Sequence, residues 1–397
     1  SRHLPEIEKQ KYWRNDQLKK ALALTCAMTM AASLFLTGCG GNSNSFTSST
    51  DSNSDSNSGG SNGSGKRVVN VCSWGEYIDE DLIYKFEDET GIKVNYQTAE
   101  SNEALYSLLS IGGADYDVIV PSDYMIARLI DEDMLAELNY DNIPNYAKIG
   151  EQYKSLSFDP ENKYTVPYTW GTLGIIYNST MVDGDIDSWD AMFDEKHADN
   201  VLMIRNSRDA LAAALLDLGY DINTTDEAQI REASELLADA KSKGVYQSFV
   251  MDEVFGKMEG GNAAIAMYYA GDYLTMLENN PDLKFVVPKE GSNWFVDAMC
   301  VLKTAQHKEE AEAWINFIAS TESSLANMDY IGYASPNLEA LEGYPAYYEE
   351  TYGEPLDEDR YEIMASPDDV LARCELYTNL PADTLTLYND LWTELGI

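Results

Sequence analysis

The chain has 397 residues, which at about 150 residues per domain points to two or three domains. Hydrophobic residues make up 44% and charged residues 24%, an ordinary globular balance, but 68 acidic against 27 basic residues leave a formal charge of −41. That charge argues against a nucleic-acid binder and against electrostatic docking on an anionic membrane, and leaves a cationic ligand open. The three histidines, His3, His197 and His307, form no cluster with cysteine at metal-ligand spacing, so neither a metal centre nor a cofactor is expected.

The first segment reads as an address. Lys19 and Lys20 precede an apolar run of 16 residues, Ala21 to Leu36. A spanning helix wants about 20 residues and a signal core about 7–15, so a signal peptide fits better than an anchor helix. The run leads into Leu36-Thr37-Gly38-Cys39, which resembles the lipobox of bacterial lipoproteins, where the signal is cut before a lipidated cysteine. Residues 1–38 are therefore expected to be a signal peptide with an upstream extension. Residues 39–66 are expected to be the lipidated Cys39 and a linker. Gly40 to Gly65 is nearly all Gly, Ser, Asn, Thr and Asp and cannot bury enough apolar surface to fold. As a coil it would reach about 25–30 Å. Beyond Cys39, three cysteines remain, Cys72, Cys300 and Cys374; an odd number implies no disulfide framework, although one bridge stays open.

The body alternates strands and helices. Arg67–Cys72 predicts a strand, Ile78–Thr90 a helix stopped by Gly91, Lys93–Tyr96 a strand, Ala104–Ile111 a helix, Tyr116–Val120 a strand and Tyr124–Ile130 a helix. This βαβ order implies a parallel sheet covered on both faces. A second α/β region begins near Gly171. Its strands are Leu173–Tyr177, Val201–Ile204, Ala263–Met267, Phe285–Val287 and Asp297–Leu302, and its helices include Ala210–Leu218 and Lys308–Ile318. Thr224 with Glu227 resembles a capping box opening a helix to Lys243.

In open parallel sheets, ligands bind beyond the C-terminal ends of strands. Those ends here hold Ser73–Tyr77, Pro121–Tyr124 and Tyr268–Asp272, and Trp294–Asp297 sits beside the last strand. Each offers aromatics and a carboxylate, and almost no Lys or Arg. An alkyl ammonium needs both: carboxylates for charge-assisted hydrogen bonds, and aromatic faces to attract the cation and cover its methylenes. Each group also has a plain structural reading. Trp74 and Tyr77 could be core aromatics, Ser122–Tyr124 a helix N-terminus, and Tyr268 and Tyr269 packing residues. Asp297, inside the apolar run Asn293–Leu302, is harder to explain that way, because a buried carboxylate needs a partner. Phe295 and Asp297 share a strand face. The Asp131-Glu132-Asp133 run reads as solvated surface.

From about residue 67 onward the chain resembles the periplasmic spermidine/putrescine-binding proteins of polyamine ABC importers. The matching stretches are SWGEYI (73–78), ETGIKVNYQTAESNEALY (89–106), YDVIVPSDY (116–124), VPYTWGTLGIIYN (166–178), MYYAGDYL (267–274) and IGYASPNLEAL (331–341). The resemblance implies an α/β, two-lobe periplasmic-binding-protein fold with a hinge-closing cleft and strand crossovers near Trp170 and Phe295. Lobe 1 is expected over 67–170 and 297–345, and lobe 2 over 171–296 and 346–397. The resemblance places ligand-binding roles on Trp74, Glu76, Tyr77, Ser122, Tyr124, Tyr269, Asp272, Phe295, Asp297 and Tyr333. Asp123 stands where threonine is common. Asn206 and Asp209 stand where spermidine-preferring members carry an Asp and a Glu, which leaves the choice between putrescine and spermidine open.

The expected function is capture of a polyamine outside the cytoplasmic membrane by a lipid-anchored monomer, with delivery to an ABC permease and no enzymatic step. A binding protein of this architecture for an iron complex, a sugar or thiamine is the alternative; paired Tyr268 and Tyr269 keep iron open. A secreted hydrolase would need a histidine, and His197 and His307 lie in polar segments.

Overall fold

The computed structural model describes residues 67–112 and 114–397; the signal, Cys39 and linker expectations lie outside them. The strands, in chain order, are β1 (Val68–Ser73), β2 (Lys93–Thr98), β3 (Val118–Ile119), β4 (Thr165–Asn178), β5 (Val201–Ile204), β6 (Tyr246–Val250), β7 (Ile265–Tyr269), β8 (Leu283–Val286), β9 (Ser292–Val301) and β10 (Cys374–Glu375). They form one curled sheet in the order β2-β1-β3-β9-β4-β7-β5-β6, with β10 added on β9 and β8 on β4.

Each flank of this sheet is a parallel α/β unit. β1 pairs in parallel with β2 and β3, and β5 with β6 and β7. Helices Asp81–Thr90, Asn102–Ser110 and Asp123–Asp131 belong to the first unit, and Ser207–Asp217, Glu227–Ser242, Glu253–Glu259 and Ala270–Leu277 to the second. The two units do not run on into one continuous parallel sheet. Two long antiparallel strands join them: β4 pairs with β9 from Thr165–Cys300 to Thr172–Trp294, then with β7 from Leu173–Tyr269 to Tyr177–Ile265. β9 reaches β3 at its other end, also antiparallel. These crossovers meet where Trp170 faces Val296 and Gly171 faces Phe295. Every residue of β4 is buried. Alternating patterning is therefore absent over its first half, and only Leu173–Tyr177 was legible as strand. Pro167 sits at a register shift, where its missing N–H costs no ladder bond.

Local signals mostly hold. Gly91 takes φ 70° at the end of its helix, which suits glycine in the left-handed region, and its amide bonds to the Glu87 carbonyl. Lys308–Ile318 forms as read, with Trp314 packed edge-on against Phe86 at 5.1 Å between ring centroids. The capping box does not form. Asp226 caps Glu227–Ser242 by accepting from the Ala228 amide, and Thr224 donates instead to Gln229. A carboxylate two residues nearer the helix is the better placed acceptor for its first amides. The strand expected at Asp297–Leu302 begins earlier, at Ser292.

Helices Thr321–Ile331, Leu338–Tyr352, Glu358–Met364 and Ala382–Glu394 complete the chain. Cys72, Cys300 and Cys374 are buried free thiols. Among the described residues, no helix is long and apolar enough to cross a membrane.

Candidate functional site

A cavity of about 510 Å³ opens where the C-terminal ends of β1, β3, β5, β6 and β7 converge on the crossover strand β9. The site predicted from strand ends is therefore one place. Trp74 and Tyr77 follow β1; Ser122, Asp123 and Tyr124 follow β3; Asn206 and Asp209 follow β5; Tyr269 ends β7 and Asp272 opens the next helix. Phe295 and Asp297 project from one face of β9, and Tyr333 completes the wall. Glu76 is the exception. Its backbone takes φ 48° in the turn after β1, and its exposed side chain does not line the cavity. It acts on the site only at a distance, helping to raise the Asp272 pKa.

The aromatic rings form a continuous strip. Centroids step from Tyr77 to Tyr333 (5.4 Å), to Phe295 (6.0 Å), to Tyr269 (5.4 Å) and to Tyr268 (5.1 Å), in tilted or edge-to-face contacts. Such edge-on packing fixes the rings against one another. A buried aspartate is held beside three of them. Asp297 Oδ2 accepts from Trp74 Nε1 at 3.0 Å and from the Tyr77 hydroxyl at 2.9 Å. Asp209 accepts from the Tyr269 hydroxyl at 2.6 Å and the Tyr377 hydroxyl at 3.0 Å. Asp272 accepts from the Tyr333 hydroxyl at 2.8 Å.

Neutral donors only partly compensate burial. Desolvation pushes the Asp297 and Asp209 carboxyls up to about 6 and Asp272 up to about 7, against the opposing hydrogen bonds. Asp123 is pushed well above the ordinary carboxylate range by burial, with the charge of Asp297 adding to it. A pocket of buried, under-neutralised carboxylates is electrostatically prepared for a cation.

Several partners escaped the sequence reading. Asp252 lines the cavity after β6, a strand outside the predicted elements, and stands at the strand end that the same rule selects. Tyr377 follows the two-residue β10, too short to leave a periodic signal. Cations are also nearer than expected. Arg205 lines the mouth after β5, and the buried Arg208 guanidinium lies against the rings of Tyr124, Tyr377 and Tyr388 at 5.1, 4.6 and 5.6 Å. Asn206 spends its amide oxygen capping Ser207–Asp217, accepting from the Arg208 and Asp209 amides. Its role at the wall is thus partly structural.

The other readings find less support. Tyr268 and Tyr269 turn their hydroxyls to two different carboxylates, Asp252 and Asp209, rather than converging. His307 pairs with buried Asp117 at 3.0 Å, and neither His197 nor His307 lines the cavity. Among the described residues, no group of three or more His, Cys, Asp or Glu side chains is arranged to hold a metal ion.

Comparison with known proteins agrees with this architecture. The chain is 33% identical over 271 residues to the spermidine/putrescine-binding periplasmic protein of Salmonella typhimurium, covering 68% of this chain and 77% of that one. It is 29% identical over 348 residues to the putrescine-binding periplasmic protein SpuD of Pseudomonas aeruginosa, covering 83% and 92%. The solved spermidine/putrescine ABC transporter substrate-binding protein PotD of Streptococcus pneumoniae superposes with a TM-score of 0.68 at 35% identity, covering 83% and 98%. The bacterial extracellular solute-binding protein profile matches residues 81–351, and the chain belongs to that family.

Proposed function

We propose that this protein captures a polyamine, putrescine or spermidine, in the cavity and delivers it to an ABC permease. The aromatic strip with aspartates fixed along it carries the reading. Asp297 lies at the Tyr77 end, Asp272 beside Tyr333, and Asp209 at the Tyr269 end. The rings cover the ligand's methylenes, and the carboxylates take its ammonium groups by charge-assisted hydrogen bonds. Asp272 supplies the third acceptor that a triamine requires. The relatives named for putrescine and spermidine support the ligand class. The protein acts by binding alone, without covalent chemistry. Contacts from both flanks of the crossover strands favour a closed state once ligand is present.

The finer parts of the reading come from the sequence. A lipid on Cys39 tethers a monomeric body outside the cytoplasmic membrane through the Ser/Asn/Gly linker, with the body divided at the two crossovers into lobes 67–170 with 297–345 and 171–296 with 346–397. Calorimetric titration with putrescine and with spermidine, each at two salt concentrations, tests the ligand. One-to-one binding that weakens with salt is expected, and the tighter amine sets the preference. Folded, ligand-free protein that gives no heat with either amine refutes it. Release of a Cys39→Ala variant from the membrane fraction tests the anchor.

A further inference from the structure

Asp123 is fully enclosed at the first position of helix Asp123–Asp131. Its Oδ1 accepts the neighbouring Tyr124 amide at 2.6 Å, and its Oδ2 is buried without a hydrogen-bonding partner. Asp297 shows the same pattern. Trp74 and Tyr77 both donate to Oδ2, and Oδ1 is buried without a partner. The antiparallel bridge between Ser122 and Asp297, with the Ala298 amide bonded to the Pro121 carbonyl, holds the two residues together on one side of the cavity. Both residues line it. Ser122 does not relieve its neighbour by capping the helix; its hydroxyl accepts from Asn102 Nδ2 at 3.0 Å.

The charged and titratable groups around this pair come from several elements. Trp74 and Tyr77, after β1, donate to Asp297, and Ser122 also favours its ionised form. The Tyr124 and Val296 amides favour ionised Asp123. Tyr168, from β4, feels the charge of Asp297, and its hydroxyl donates to the Tyr77 carbonyl. Arg208, on helix Ser207–Asp217, is the nearby cation. It stands beyond the Tyr124 ring and donates to the Thr378 carbonyl and Asn223 Oδ1, not to a carboxylate. Asp209 beside it, and Glu103, which accepts from the Tyr124 hydroxyl, add further negative charge on that side. Two enclosed carboxylates, each with an oxygen left free, do not both stay ionised without a cation between them. Burial accordingly pushes Asp123 well up and Asp297 to about 6.

We infer that Asp123 and Asp297 form a single ammonium subsite, in which the two carboxyls share one proton until the cationic end of the ligand displaces it. In that step one carboxyl O–H bond breaks and its proton leaves to water. The ammonium keeps its three N–H bonds and donates two of them, to Asp123 Oδ2 and Asp297 Oδ1. The inference rests on the polyamine reading of this cavity. It differs from a first-turn acid that merely complements the helix dipole, which would be ionised throughout and release nothing.

The test is calorimetric titration of the purified protein with putrescine near pH 7, in buffers of differing ionisation enthalpy. The buffer dependence of the heat counts protons released per ligand. At least one is expected for the wild type, Asp272 adding to the count where its ammonium binds, and a count lower by about one in both Asp123→Asn and Asp123→Thr. Wild-type affinity should also fall about tenfold per pH unit of acidification through the range where the pair titrates. Buffer-independent heat overturns the inference, and so does an equal proton count in wild type and variants. If neither variant folds, the wild-type pH series decides, and an affinity constant between about pH 6 and 8 overturns it. Absence of saturable binding by putrescine and spermidine overturns the polyamine reading itself. Binding without proton release overturns only the shared proton.

Discussion

Replacing Asp297 with Asn separates binding from stability, because the carboxylate serves the two in opposite directions. The side chain is 3% exposed and receives two neutral donors on one oxygen. An asparagine keeps an acceptor for Trp74 and Tyr77 but presents an amide to the cavity where a cation is to sit. Losing a charge-assisted hydrogen bond and leaving the ammonium unpaired costs about 2–4 kcal/mol. At roughly 1.4 kcal/mol per decade, that weakens polyamine binding by about 30- to 1,000-fold. The ligand-free protein responds the other way. Holding this carboxyl at about 6 rather than 3.8 corresponds to about 3 kcal/mol of destabilisation when it is ionised at neutral pH. Its partners Trp74 and Tyr77 follow β1 and Ser122 follows β3, so the hydrogen bonds that fix it come from one flank. Asp297→Asn should therefore melt higher than wild type without ligand, and gain less on adding putrescine or spermidine. Calorimetric titration gives the first quantity and thermal melts with and without amine the second. A dissociation constant within about threefold of wild type would refute the argument, as would a lower ligand-free melting temperature.

Asp133→Asn should leave polyamine affinity unchanged within error, since Asp133 and its partner Lys303 are both exposed and such pairs contribute about 0–1 kcal/mol; a loss comparable to that of Asp297→Asn would discredit the site. The raised carboxyls of Asp209, Asp297 and Asp272 cost stability above their folded pKa values of about 6, 6 and 7, and the cost disappears towards their ordinary range, so ligand-free melting temperature should rise as pH falls from about 8 to 5. A steady fall over that window in a thermal melt series would contradict it. Gly271→Ala would place a methyl 2.3 Å from the Tyr333 ring, forcing the ring off Asp272; a destabilisation of about 1–3 kcal/mol with weakened binding is expected from melts and titrations, and unaltered values would show that Tyr333 is not fixed as described.

How far this protein could be read without its structure depended on the range of each signal. Helix Lys308–Ile318 and strand Val201–Ile204 are written in short-range periodicity and were legible residue for residue. So was the concentration of aromatics and acids at strand ends, because the strand-end rule uses only local order. The crossover strands were half legible. β4 is buried along its whole length, so its first half carries no alternation, and the pairing of its two ends with different partners is a long-range event. Glu76 matched by position, yet one positive φ in the turn after β1 leaves its side chain outside the cavity.

The amino-acid sequence by itself determined an acidic α/β body whose strand ends offer carboxylates and rings, since those are properties of neighbours in the chain. Only the tertiary structure decided which acids are partnered. Trp74 meets Asp297 across 223 residues, and Tyr377 meets Asp209 across 168. It also decided that Arg208 lies behind aromatic rings instead of in a salt bridge, and that Asp123 and Asp297 each keep one free oxygen. The physical reason is that desolvation and partner geometry depend on everything folded around a group, and these fix whether a buried carboxylate is a structural acceptor or a site prepared for a cation.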